Sequence, residues 1–254
     1  MPVDRKFWGS MFFDEKGAPP WPCPNCSRGH LQLEKKSLHS GPDEKTSKNI
    51  GHQDFEPIFW TGRFSCYFTC SSKQCKETIA ALGIESMGEG SHGQPESVYE
   101  PLIFFPPLHL FRIPDQTPQP IVNETVSAFA LTWIDASGAM NHVRNAIELV
   151  MDHLKVPKSQ MVTKSGMKRR VRRSLHNRIE WYTHADRVLR DRLLAIKWLG
   201  NEGSHAGVLT LIDTFDCHDL LESVLVHIFA DHQRRLDILA KVINKARGPR
   251  KRTN

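Results

Sequence analysis

The sequence predicts an α+β protein in which a small, cysteine-held β module is followed by an antiparallel α-helical bundle. Three observations support this fold class: five of the six cysteines lie between Cys23 and Cys75, prolines interrupt the chain at 113–120, and helical periodicity follows them. The 254 residues, 39% of them hydrophobic, suffice for a sizeable core. We therefore predict the β module at 1–118 and the helical bundle at 119–254.

Two pairs of cysteines define the β module. Cys23 and Cys26 are separated by two residues on a turn stiffened by prolines, and Cys70 and Cys75 follow a segment, 64–70, in which apolar and polar residues alternate as in a half-buried strand. Thiolates from two such turns can complete a tetrahedral Zn²⁺ site, and a closed four-cysteine site serves folding rather than catalysis. The pattern predicts a small zinc-held β module that is zinc-ribbon-like.

Other residues remain possible ligands of the predicted zinc site. Cys66 lies in the middle of the strand, and we interpret it as a core residue, although it could replace Cys70 or Cys75 at the metal. His30 and His52 are further alternatives, and all these thiols could simply be buried. We expect Cys217, alone in the helical half, to be a buried residue.

The remaining elements follow from periodicity. The polar segment 36–51 is typical of a loop, and 99–113 indicates one or two edge strands. After the prolines, apolar residues recur at helical spacing, which predicts four or five helices. We expect Gly200 and Gly203 to end the third helical region. The four regions are 126–134, 143–154, 185–196 and 221–243.

The formal net charge of +6 is concentrated in two stretches. The tail 247–252 carries four basic residues, and 164–178 carries seven with no acidic residue. Clustered basic side chains bind phosphates by releasing counterions, and Trp181 and Tyr182 could stack on unpaired bases. A solvated basic loop is the alternative. The seven candidate nucleic-acid-binding residues are Lys164, Lys168, Arg169, Arg170, Arg172, Arg173 and Arg178.

Targeting signals are missing from the sequence. The first residues are too polar for a signal peptide, and no window approaches the roughly 18 apolar residues that a membrane span requires. We therefore expect a cytoplasmic protein with no membrane contact, in a reducing compartment that argues against structural disulfides.

The order of these features resembles domain of unknown function family 4145, over nearly the whole chain. Four motifs carry the resemblance: Trp21-Pro-Cys-Pro-Asn-Cys26, a strand ending in Cys70-Ser-Ser-Lys-Gln-Cys75, Asn141-His-Val-Arg-Asn-Ala-Ile-Glu148, and Ile196-Lys-Trp-Leu-Gly-Asn-Glu-Gly-Ser-His205. The resemblance implies an HEPN-like bundle, because this family belongs to the HEPN-like helical superfamily. It also implies a homodimer formed through the helical domain and a defence-system partner protein, since members occur in restriction or anti-phage loci.

Catalytic HEPN proteins are metal-independent RNases with an Arg-x4–6-His motif. Upstream of His205 no arginine lies in that window, which departs from the family's pattern. An RNase of this resemblance would instead use a composite catalytic site, completed across a dimer, of Arg144, Glu148, Asn201 and His205. Arg144 and Glu148 are spaced i, i+4 and can pair on one side of a helix. Literal motif matches occur elsewhere, at Arg169 or Arg170 with His176 and at Arg178 with His184.

Three functions follow in order of preference. The first is a nucleic-acid-associated binding or accessory module, engaging RNA or DNA, of a bacterial restriction or anti-phage defence system. The second is a metal-independent HEPN-type RNase effector, and the third is a purely structural dimerising adaptor. Walker loops, dinucleotide glycine fingerprints, zinc-protease helices and nucleophile elbows are all absent from the sequence.

Overall fold

The computed structural model describes residues 3–89, 94–164, 166–183, 186–202 and 209–248. An antiparallel sheet forms its N-terminal part, and helices form most of its C-terminal part. The predicted combination of an N-terminal sheet and C-terminal helices is therefore confirmed.

Among the described residues, five strands form the main sheet. Strand β3 pairs with β1, β2 and β4, and β4 pairs in turn with β5, so the order is β1-β3-β4-β5 with β2 beside β3. Phe64, Cys66, Phe68 and Cys70 of β3 are buried and their neighbours are more exposed, as the alternation in 64–70 predicted. The strands are β1 (Leu31–Leu33), β2 (His39–Pro42), β3 (Thr61–Cys70), β4 (Thr78–Glu89) and β5 (Pro95–Phe105).

The polar segment 36–51 is not a loop, contrary to the prediction. It contains β2 and a short helix, α2 (Glu44–Asn49). The carboxylate of Asp43 caps this helix by accepting a hydrogen bond from the backbone N–H of Thr46 (2.8 Å), and it also accepts one from the hydroxyl of Thr61 on β3 (2.7 Å). A single N-cap residue thus fixes an otherwise polar segment to the sheet.

Helix α4 (Ala136–His153) lies at the centre of the helical part. It packs against α3 (Gln119–Leu131), α5 (Leu175–Tyr182), α6 (Arg187–Glu202) and α7 (Leu211–Phe229). The region predicted at 221–243 is divided at Ala230 between α7 and α8 (Asp231–Ala246). None of the helices in the described ranges combines the length and the apolar character needed to cross a bilayer.

Helical structure does not continue through the whole C-terminal half. Strands β6 (Ser159–Lys164) and β7 (Met167–Arg172) pair antiparallel as a β-hairpin. Gly166 at its turn has a φ of 76°, a conformation that glycine adopts without steric cost. The basic stretch is therefore mainly extended.

The sheet and the helices share one hydrophobic core. Trp133, just after α3, has its ring 6.2 Å from that of Phe104 on β5 and 5.9 Å from that of Trp8 in α1 (Arg5–Trp8). Arg5 in turn forms ion pairs with Asp216 and Asp219 of α7. The N-terminal residues therefore contact α7 and Trp133 of the helical part.

Gly200 does not end a helix; it lies inside α6, which continues to Glu202. A Cβ atom at this position would lie 2.9 Å from Cβ of Arg144 and 3.3 Å from the carbonyl oxygen of Met140, both on α4. Glycine is therefore required by the close approach of α6 to α4. Gly203 lies outside the described residues.

A methyl group at position 200 would push α6 away from α4. The Gly200→Ala variant should lose about 1–2 kcal/mol of unfolding free energy, because overpacking outweighs the gain of about 1 kcal/mol in helix propensity. Urea unfolding followed by circular dichroism measures the change. Gly51→Ala is the matched control, since its Cβ would meet nothing within 4 Å, and it should change stability by less than about 0.5 kcal/mol. A Gly200→Ala variant as stable as the wild type would contradict the packing argument.

Candidate functional site

Four cysteines converge at the end of β3. The sulfur atoms of Cys23 and Cys75 are 3.8 Å apart, those of Cys26 and Cys70 are 3.7 Å apart, and all four lie within 4.8 Å of one another. A tetrahedral metal with metal–sulfur distances of about 2.3 Å would hold its sulfurs about 3.8 Å apart. The cluster is therefore compatible with a metal site made by the predicted residues.

The backbone shapes both cysteine turns in the same way. Ser27 directly follows Cys26 with a φ of 52°, and Lys76 directly follows Cys75 with a φ of 53°. Each turn thus places a left-handed residue immediately after its second cysteine. This conformation reverses the chain direction directly after each cysteine pair.

Gly29 lies between the two turns. A Cβ atom there would be 2.5 Å from the sulfur of Cys70 and 2.9 Å from the backbone nitrogen of Ser72, so no larger residue fits. The backbone N–H of Gly29 also donates to the sulfur of Cys26 at 3.4 Å. Hydrogen bonds from Gly29 and Arg28 lower the pKa of Cys26 to about 6, whereas burial raises the pKa of Cys23 to about 12 and also raises that of Cys70.

The other candidate ligands lie elsewhere. Cys66 is a core residue, as predicted, and burial raises the pKa of its thiol to about 12. Cys217 is also buried, as predicted, and burial raises its pKa to about 12. Neither His30 nor His52 joins the cluster of possible metal ligands found among the described residues.

The basic residues of β7 lie on an exposed hairpin. Strand alternation places Lys168, Arg170 and Arg172 on one face and Arg169 on the other, and all four side chains are exposed. Arg170 donates a hydrogen bond from Nε to the hydroxyl of Ser159 (2.6 Å). Lys164, the last residue of β6, pairs with Met167 across the turn.

A pocket of about 390 Å³ opens between the base of this hairpin, α4 and α5. Helix α4 contributes Arg144, Glu148 and Asp152, which are spaced i, i+4, i+8 and therefore lie on one face of the helix. Residues predicted separately as catalytic and as nucleic-acid-binding thus meet in one pocket. The basic side chains that line it, within the described ranges, are Arg144, Lys158, Arg172, Arg173 and Arg178.

Ion pairs within the pocket connect α4 to its neighbours. Arg144 contacts Glu148 through Nη2 and Oε1 at 3.3 Å, which confirms the predicted i, i+4 pair. Arg178, with only 7% of its side chain exposed, donates from Nη2 to Oδ1 of Asp152 (2.6 Å) and to the carbonyl oxygen of Val156 (3.2 Å). Unlike the basic residues of β7, Arg178 has a carboxylate partner within the described residues, and this ion pair holds α5 against the end of α4.

Asp152 is shared between two basic side chains. Besides Arg178, it accepts a hydrogen bond from Nζ of Lys158 at 2.7 Å. Burial alone would raise the pKa of Asp152, but the hydrogen bonds from Lys158 and Arg178 outweigh burial and lower the pKa below its ordinary value. Asp152 and Lys158 did not figure in the sequence-based prediction, although the spacing of Asp152 from Glu148 on the same helix was a usable signal.

The proposed catalytic set is only partly described by the structure. Asn201 follows Gly200 in α6, and the described residues lining the pocket do not include it. His205 and His184 lie outside the described residues. A composite site of Arg144, Glu148, Asn201 and His205 therefore stays a prediction.

Comparison with known families gives two matches. Residues 11–107 match the model of a domain of unknown function (DUF8608), and residues 126–248 match that of a domain of unknown function (DUF4145). No curated protein and no solved structure matches the chain. The resemblance to family 4145 is thus confirmed for residues 126–248, whereas residues 11–107 match a different family model.

Replacing Arg178 tests the role of its ion pair. Arg178→Met should lose about 2–3 kcal/mol of unfolding free energy at pH 7, because a partly buried carboxylate loses a charge-assisted hydrogen bond. Lys158→Met removes a partner of the same carboxylate, but Lys158 is 70% exposed, so it should cost less than about 1 kcal/mol. Chemical denaturation of both variants measures the difference, and equal losses would contradict the assigned role.

The ion pair between Arg178 and Asp152 predicts how the unfolding free energy changes with pH. Since the folded-state pKa of Asp152 is lowered from 3.8, the ion pair stabilises the fold fully above about pH 4 and loses this effect as the pH falls through the lowered pKa. The stability difference between wild type and Arg178→Met should therefore stay constant from pH 7 to about 4 and shrink below that. A difference that grows on acidification would refute this.

The cysteine cluster predicts one bound metal ion per chain. Cys26→Ser and Cys70→Ser should each abolish metal binding, because a cluster with three thiolates loses most of its affinity. Cys66→Ala should retain the metal, since this thiol lies in the core. Elemental analysis of the purified proteins measures the stoichiometry, and loss of metal from Cys66→Ala alone would place the site elsewhere.

Proposed function

We propose that the protein is a nucleic-acid-associated binding module whose β6–β7 hairpin contacts phosphate groups. The observation that carries this proposal is the concentration of Lys168, Arg169, Arg170 and Arg172 on one exposed strand. Within the described ranges, no carboxylate forms a salt bridge with any of these four side chains. Basic groups without a carboxylate partner gain most from phosphate contact, which releases the counterions of the nucleic acid.

Two exposed indole rings, each next to a basic side chain, support the proposal. Trp181 is 49% exposed and lies with its ring centre 5.8 Å from the guanidinium carbon of Arg173. Trp198 is 56% exposed and lies against the ammonium group of Lys197. Aromatic rings next to cations are the usual platform for unpaired bases, which favours single-stranded nucleic acid as the ligand.

The metal in the four-cysteine cluster is proposed to be Zn²⁺. Four thiolates on two tight turns are typical of structural zinc sites and leave no coordination position open for a water molecule. Residues Cys23, Cys26, Cys70 and Cys75 would hold the metal, whose role is to join the two turns and so fold the β module. The elemental analysis described above also identifies the element.

A metal-independent RNase is the second candidate function. Arg144 and Glu148, two of the four residues in the implied catalytic set, line the basic pocket beside Arg173. We propose an HEPN-like bundle for the helical part, supported by the match of residues 126–248 to DUF4145. A homodimer through this part and a role in restriction or anti-phage defence with a partner protein rest on the family resemblance alone.

Neutralising the hairpin tests the binding proposal. The variant with Lys168, Arg169 and Arg170 changed to Gln should bind labelled single-stranded RNA at least about tenfold more weakly, with a salt dependence shallower by about 2 in log–log slope, because each lost phosphate contact removes about 0.7. Fluorescence anisotropy over a range of salt concentrations measures both quantities.

A second triple variant controls for overall charge. Changing Lys35, Lys36 and Lys45 to Gln removes the same charge from the β module and should leave RNA binding nearly unchanged. If wild type fails to bind at physiological salt, or the control weakens binding as much, the proposal is wrong. Gel analysis of the same RNA with EDTA present completes the test, since cleavage that His205→Ala abolishes would favour the RNase.

A further inference from the structure

We infer that the pocket at the base of the hairpin is a site for a phosphate monoester, the group found at a strand terminus or on a free mononucleotide. Where the monoester is the end of a nucleic-acid strand, the inference rests on the proposed function. The hairpin would then contact phosphodiesters along the strand while the pocket holds the end.

Three arginines that line the pocket, each with a buried Nε–H group that lacks a partner, carry this inference. The Nε atoms of Arg144, Arg173 and Arg178 are buried, and none of the three has a hydrogen-bond partner. Only 7% of the Arg178 side chain is exposed. Buried N–H groups are nearly always paired in folded proteins, so three Nε–H groups without a partner, on arginines that line one pocket, favour an acceptor there.

The charge of the pocket selects an anion. Its lining has five basic side chains against the carboxylates Glu148 and Asp152, which leaves an excess of three positive charges over the described residues. Asp152 is already bound by Lys158 and Arg178, and Glu148 by Arg144. Arg172 and Arg173 thus provide most of the charge that remains for a ligand.

A monoester fits this environment better than an internal phosphodiester. A monoester carries about −1.5 to −2 charges at pH 7 and offers three terminal oxygens, whereas a diester carries one charge and offers two. Guanidinium groups bind such oxygens through directed, charge-assisted hydrogen bonds. The volume of about 390 Å³ also admits a phosphate together with part of its nucleotide.

The experiment compares three single-stranded RNAs of one sequence, carrying a 5′-phosphate, a 3′-phosphate or hydroxyl groups at both ends. Fluorescence anisotropy should show that one phosphorylated form binds about tenfold more tightly than the hydroxyl form. Arg173→Gln and Arg144→Gln should each abolish this preference. Arg169→Gln, on the hairpin but outside the pocket, should weaken all three RNAs equally and keep the preference, which separates end recognition from general affinity.

Each remaining result has a defined meaning. Equal binding of all three RNAs to wild type overturns the inference and leaves the proposed function intact. If no RNA binds, the proposed function fails, and calorimetry with a nucleoside 5′-monophosphate and the matching nucleoside decides the inference alone. If only the monophosphate binds, and Arg173→Gln abolishes this binding, the pocket is a site for the phosphate of a free nucleotide. If neither the monophosphate nor the nucleoside binds, the inference is overturned. The wild-type comparisons decide the matter even if both pocket variants fail to fold.

Discussion

The orientation of α4 about its own axis determines both the core of the helical part and the chemistry of the pocket. Seven buried residues occupy one side of this helix, and Arg144, Glu148 and Asp152 recur on the other at every fourth position. Because α3, α5, α6 and α7 all pack on α4, the helix cannot rotate without exposing apolar surface. The buried residues are Ala139, Met140, Val143, Ala146, Ile147, Val150 and Met151. Core packing therefore holds the polar residues in place.

The β module depends on the same core through its aromatic residues. Trp21, fully buried two positions before Cys23, has its ring 5.5 Å from those of both Phe68 and Phe104. Phe104 in turn contacts Trp133 of the helical part. The cysteine cluster is thus joined to the bundle by a continuous chain of packed rings, and the two family matches describe parts of one folded unit.

Local patterns in the sequence predicted what local interactions determine. Two cysteine pairs with turn spacing predict the four-cysteine cluster, and the alternation of apolar and polar residues predicts β3. The hairpin at 159–172 was missed because its side chains are largely exposed, so neither a helical nor an alternating apolar pattern arises. The low helix propensity of glycine predicts a helix end at Gly200, but the close approach of Arg144 requires a glycine within the helix. Such distant contacts are not encoded in local spacing.

The run of basic residues at 164–178 also shows that local sequence does not reveal distant contacts, and here these contacts bear on function. By sequence, Arg178 is one more basic residue in the stretch 164–178, yet Asp152, twenty-six positions away, binds it inside the fold. Arg172 and Arg173 belong to the same run and have no such carboxylate among the described residues. A basic side chain with an internal carboxylate stabilises the fold, and one without is available to a phosphate. The tertiary structure thus separates two roles that composition cannot distinguish, and it leaves the available charge where the hairpin meets the pocket.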